Sequence, residues 1–172
     1  MRLLWKFAFV CAVLTQFAQP LWAQDAIDLV AGEAWRHPHG AMDVPPSLAG
    51  LERSRGVAYA AEHLDVGFAY AAPDEEITLY VFRNTNGAVP VWFAQAQDGL
   101  VGREQYANPQ LVGSVEPIKP AGSAVASGLK ATYQPGSGSP FASTGLALFA
   151  SRGWYVKLRA SSARRTPEEM SR

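Results

Sequence analysis

The chain has 172 residues; 48% are apolar, 17% charged and 11% aromatic, with 15 Gly and 12 Pro. So large an apolar fraction with no formal net charge excludes a disordered chain. Gly without a triplet period and the lack of any heptad run exclude collagen and a long coiled coil, and the length suits one domain.

Residues 1–23 read as a secretory signal peptide. Arg2 and Lys6 bracket a short charged start, and Phe7 to Leu14 is an unbroken apolar run. Pro20 then breaks any helix, and Leu21-Trp22-Ala23 supplies a small-residue cut site before Gln24. The run is too short to span the roughly 30 Å of hydrocarbon as a helix, so a cleaved leader is expected rather than an anchor. Phe9 and Val10 before Cys11 argue against a lipoprotein. Cleavage after Ala23 leaves 149 of the 172 residues, with no transmembrane span expected, in the periplasm or secreted. Cys11 leaves with the leader. A disulfide framework, a cysteine nucleophile and a thiolate metal site are then excluded.

Without Arg2 and Lys6, 13 basic side chains face 15 acidic ones. Residues 152–172 carry +4 and residues 24–151 carry −6. A weakly acidic protein with a short basic end does not have the basic domain of a general nucleic-acid binder.

Residues 24–34 suit a short helix or a loose leader. Residues 35–50 hold three Pro and two Gly and suit an extended entry with a turn at Pro45-Pro46. Leu64, Val66, Phe68 and Tyr70 alternate as one face of a half-buried strand, with Gly56 to Ala61 its hairpin partner across Glu62-His63. Pro73 to Glu76 is a polar turn. Ile77 to Phe82, apolar or β-branched on both faces, suits a central strand that ends at the turn chemistry of Asn84-Thr85-Asn86-Gly87.

Pro90 to Glu104 favours a helix over a strand. Pro90 suits a first helical position, and Trp92, Phe93, Ala96, Leu100 and Val101 fall near helical spacing. Residues 109–122 are loop-rich, with a short strand around Leu111 to Val115. Ser127 to Tyr133 reads as a strand, and residues 135–140 as a flexible loop. Leu146 to Phe149 and Trp154 to Ala160 form a hairpin about Ser151-Arg152-Gly153. In its second arm Trp154, Val156, Leu158 and Ala160 share one face, and Tyr155, Lys157, Arg159 and Ser161 the other. Thr166-Pro167-Glu168-Glu169 is a capping box that opens a helix in residues 166–172. That helix either docks on the sheet as a very short one or begins a longer one.

His37-Pro38-His39 is the one suggestive metal pattern. In an extended segment two such imidazoles share a side and could hold Zn or Cu with His63 or Asp43 as a third ligand. The plainer reading is solvated histidines in a Pro-rich entry. Ser127-Gly128-Leu129-Lys130 matches Ser-x-x-Lys, but its surroundings favour a strand and the companion motifs are absent. Residues 136–139 do not form a nucleophile elbow. Neither a phosphate loop nor a dinucleotide fingerprint is present, so no cofactor is implied. Asp74, Glu75 and Glu76 suit a solvated turn. Lys157 and Arg159, with Tyr155 beside them, could meet an anion such as a headgroup or an acidic glycan, or simply protect a solvent-facing strand. Tyr80, Phe82, Trp92, Phe93 and Trp154 read as core rather than as a ligand box.

The run Pro45-Pro46-Ser47-Leu48-Ala49-Gly50-Leu51, the strand end Thr78 to Phe82, and Gly153 to Arg159 resemble segments of uncharacterised exported bacterial proteins with a small antiparallel sheet and covering helices. The resemblance spans residues 35–172 and implies a fold and a compartment but no activity. The expectation is one α+β domain over residues 35–165. It has an antiparallel sheet of about five to seven strands with one or two helices on one face. The function expected is a non-enzymatic envelope accessory or binding module, its partner an envelope protein or an anionic surface. The alternatives are a hydrolase or metal-dependent enzyme built around His37, His39 and His63, and a structural envelope component acting by protein contact.

Overall fold

A computed structural model describes residues 24–83, 87–120, 122 and 124–171. The leader at residues 1–23 and the turn at residues 84–86 lie outside them. Eleven strands are formed: β1 (Asp25–Ala26), β2 (Trp35–Arg36), β3 (Asp43–Val44), β4 (Ser47–Leu48), β5 (Leu51–Ala58), β6 (Asp65–Ala72), β7 (Glu75–Arg83), β8 (Gln110–Ile118), β9 (Gly128–Gln134), β10 (Ser143–Ser151) and β11 (Trp154–Ser162). Two α-helices join them, α1 (Val89–Val101) and α2 (Pro167–Met170).

The sheet has nine strands in the order β1-β5-β6-β7-β11-β10-β9-β8, with β4 paired to β5 off that path. Its pairings are antiparallel. Two meanders make it. The chain runs β5-β6-β7, crosses over through α1 to the far edge at β8, and returns so that β11 zips against β7 from Trp154↔Arg83 to Ser162↔Glu75. Short turns set the register. Arg152 and Gly153 both take positive φ, 50° and 82°, the mirror-type turn whose twist matches an antiparallel pair.

The expected α+β domain is therefore corrected to a mainly β fold, 47% strand and 16% helical. The strand count rises from five to seven to nine because residues 24–50 form two-residue strands, too short to show a period. Residues 24–34 hold no helix; β1 adds to the sheet edge and Ile27 enters the core. The helices also do not share one face. Phe93 and Leu100 of α1 pack with Tyr133, Leu146 and Leu148, whereas Met170 of α2 meets Gly145 on the opposite side of β10.

Each face of the sheet thus builds its own core. On one, Val66, Phe68, Tyr70, Leu79, Val81 and Val156 are covered by the arm of residues 27–48. On the other, Phe93, Leu100, Tyr106, Tyr133 and Tyr155 meet beneath α1. Tyr106, Ser161 and Thr144 link their hydroxyls there in a buried chain, at 3.0 and 3.1 Å, that ends on the Ala160 carbonyl. Among the described residues no helix is long and apolar enough to cross a membrane.

One arginine holds the arm down. The Arg53 guanidinium donates to the carbonyls of Val44 at 2.9 Å and Glu33 at 2.8 Å, with longer bonds to Pro45 and Val30. The Tyr70 hydroxyl donates to Pro45 O at 2.9 Å from the sheet below. Arg53→Met keeps the aliphatic stem and removes these bonds, so urea unfolding should show a loss of about 2–3 kcal/mol. Unchanged stability would mean that apolar burial alone seats the arm.

Candidate functional site

Helix α1 lies over β9 and β10 and reaches β7 through Trp92 on Phe82, leaving the rest of β6 and β7 open. Between its flank and the uncovered part of the sheet is an open cleft of about 860 Å³. Register places its floor. Gly67, Tyr80, Lys157 and Leu148 sit side by side on β6, β7, β11 and β10, and Asp65 lies beside Phe82 in the neighbouring row. Trp92, Gln95 and Ala96 of α1 form the facing wall, and Arg103 stands exposed at the rim; Arg83 borders the cleft, but its guanidinium lies over Trp154, 5.8 Å from that ring's centroid.

Small residues make the room. The Asp65 face of β6 continues as Gly67 and Ala69, so nothing bulky rises from that strand. A Cβ on Gly67 would come within 2.8 Å of Tyr59 Cε2 and 3.1 Å of its hydroxyl, so that ring needs the bare position. Tyr59 stacks on Tyr80 with centroids 6.2 Å apart and 29° between planes, while Phe82 and Trp92 meet edge-on at 5.5 Å.

The charges here are incompletely matched. The Lys157 ammonium sits 4.1 Å over the Tyr80 ring centroid, a cation–π contact. Among the described residues no carboxylate lies within 4.0 Å of it, and the Asp65 carboxylate has no hydrogen-bond or ion-pair partner. Burial pushes the Lys157 ammonium below its usual pKa, Asp65 opposing and Arg159 and Arg103 adding to the fall. Burial likewise raises Asp65, with Lys157 opposing. Both groups are drawn toward their neutral forms because each loses water and neither gains a full partner.

A smaller recess continues the cleft beneath α1, sharing Tyr80, Arg103 and Lys157 and ending at Arg159. Arg159 donates from Nη2 to Thr78 Oγ1 at 3.4 Å, and its Nε is buried without a partner. The two cations that the sequence offers for an anion, Lys157 and Arg159, thus lie on the floor below α1 rather than on an open strand face. Tyr80, Phe82 and Trp92 line the cleft, whereas Phe93 and Trp154 are core. Sequence reasoning missed Asp65 and Tyr59. The available signal was the run of small residues after Asp65 on the polar side of its strand.

His37, His39 and His63 do come together, on the opposite side of the loop that carries Leu64 and Asp65. His37 Nδ1 accepts from the His39 amide at 3.2 Å and its Nε2 lies 3.1 Å from His63 O, which requires the neutral Nε2–H tautomer. His39 Nε2 donates to Glu62 O at 2.8 Å. Trp154 packs edge-on against His37 at 4.5 Å, and Trp35 sits 5.8 Å from His63. Both ring nitrogens of His37 are therefore occupied. Among the described residues no three His, Cys, Asp or Glu side chains are placed to hold a metal ion. The histidines instead clasp a loop whose Glu62 and His63 take left-handed φ of 56° and 57°.

The remaining candidates are structural neighbours of other groups. Ser127 Oγ donates to Ala150 O, while Lys130 Nζ donates to Ser171 O and pairs with Glu116. Asp74 and Glu75 pair with Arg164 and Arg165, the latter at 2.6 Å. The capping box at Thr166 forms as expected.

No protein-family model matches the chain. No curated protein and no solved structure matches it either.

Burial holds His37 below its usual 6.5, with His39 and His63 adding to the fall and the bond to His63 O opposing it. The fold therefore favours the neutral ring. Its stabilising contribution is complete above about 6.5 and is lost as pH falls through the lower folded value. Glu75, kept below 4.5 by its hydrogen bond from Arg165, acts only in stronger acid. Thermal midpoints of the parent should fall between pH 6.5 and 5, and His37→Gln should flatten that slope. Equal slopes would remove His37 from the account.

Proposed function

We propose that the protein is an exported, non-enzymatic binding module whose ligand enters the cleft between α1 and the sheet. Export is inferred from the leader pattern of residues 1–23. One observation carries the binding reading: Asp65 and Lys157 face an aromatic-walled cavity, desolvated and, among the described residues, without an opposite charge at ion-pair distance. A fold that needed them for stability alone would pair them, since an unmatched charge out of water is costly. A ligand completes such a pair, and its affinity offsets the strain. The cavity size suits a small molecule, within the range of about 300–1,000 Å³ common for such sites.

A second reading has one observation in its favour. An amine drawn toward its neutral form is also what a lysine nucleophile or base requires. Lys157→Arg, which keeps the charge and cannot supply a neutral amine, separates the two. It preserves binding in a module and abolishes turnover in an enzyme.

The same charges give a stability test. The double variant Lys157→Met/Asp65→Asn should be at least as stable as the parent in urea unfolding, and about 1 kcal/mol more so. Lys157→Met alone should likewise cost little; a loss of about 3–5 kcal/mol on removing that one partner would mark the two as a structural pair and overturn the proposal.

A further inference from the structure

We propose that the cleft takes an organic anion with a flat apolar body and a single acidic group, the acid received by Lys157 and Arg103 and the flat body laid against Tyr59 and Trp92. This rests on the reading of the cleft as a binding site and adds the ligand's chemistry.

The sign of the charge in the cleft favours an anion. Arg103 and Lys157 line the cleft and Arg159 closes the adjoining recess, against Asp65 as the one carboxylate among the described lining residues. Three cations gathered around one anion repel one another. The repulsion is visible at Lys157, which Arg159 and Arg103 disfavour in its charged form. An incoming carboxylate or sulfonate relieves it and forms charge-assisted hydrogen bonds, the stronger kind. The buried Arg159 Nε, still without an acceptor, marks where the positive end of the site lies.

The shape of the cleft favours a flat body. Tyr59 and Tyr80 stack with 29° between their planes, and bare Gly67 leaves room for the Tyr59 ring. Trp92 faces them from α1. Planar walls select a planar apolar body. A cationic ligand is disfavoured because the Tyr80 ring face is already occupied by the Lys157 ammonium at 4.1 Å. Asp65 limits the negative charge that can enter. It tolerates one acid seated toward Arg103 and Arg159, repels a second, and can accept a hydrogen bond from a ligand hydroxyl.

Three probes of one shape test the assignment: 2-naphthoate, 2-naphthylmethanol and 2-naphthylmethylammonium, titrated calorimetrically into the full folded protein. The acid should bind about tenfold or more tightly than the alcohol, with the ammonium weakest. Arg103→Gln, at an exposed position that leaves the core intact, and Lys157→Met should each erase most of that preference while the alcohol binds as before. If the alcohol or ammonium binds as tightly as the acid, the anion assignment falls and the cleft remains a binding site. If none of the three binds up to about 1 mM, the binding reading falls with it.

Discussion

A strand paired along both edges and covered on both faces has no solvent side. β11 comes close to that position: its nine residues pair with β7 on one edge and β10 on the other, the arm of residues 27–48 covers one face, and α1 covers the second except at the cleft. Alternate side chains must then enter two different interiors. Trp154 and Val156 fill the first and Tyr155 the second. Lys157 and Arg159 follow Tyr155, so two cations are carried under a helix by the register of the sheet. The incomplete reach of α1 keeps this arrangement affordable, because the cleft it leaves lets water, or a ligand, reach the ammonium.

The two sides are mechanically joined through residues 59–65. Tyr59 N donates to Asp65 O at 2.8 Å, closing a loop whose ends supply both a wall and a charge of the cleft. From the other side His37 and His39 hold the carbonyls of His63 and Glu62. His37 rests in turn against Trp154, on the same strand as Lys157. The arm clamped by Arg53 therefore does more than fill a core. It presents the histidines that keep the cleft's loop in its left-handed turn.

Much of this was legible from local signals. Pro90 with helical spacing marked α1, Arg152-Gly153 marked the last hairpin, and Thr166 to Glu169 marked α2, because each is set by neighbours in the chain. What was not legible depended on partners distant in sequence. The strands β1 to β4 owe their existence to β5 and to each other, and two residues carry no period. β8 is exposed over most of its length and bulged between Val112 and Glu116, so its alternation is blurred. The cleft was hidden for a related reason. The alternation of Lys157 and Arg159 with apolar residues is the pattern of a solvated face. Only the crossover through α1, which no local pattern encodes, shows that this face lies beneath a helix. Asp65 gave no motif at all; it gains meaning from standing diagonally opposite Lys157 two strands away.

The central claim is that Lys157 is a desolvated ammonium inside the cleft. NMR titration of ¹³Cε-labelled lysines, assigned by Lys157→Arg, addresses it directly. Lys157 should release its proton at a distinctly lower pH than an ordinary lysine side chain, and its midpoint should fall further in Asp65→Asn, which removes the one favourable charge. A Lys157 that titrates in the ordinary lysine range, indifferent to the change at position 65, would contradict it.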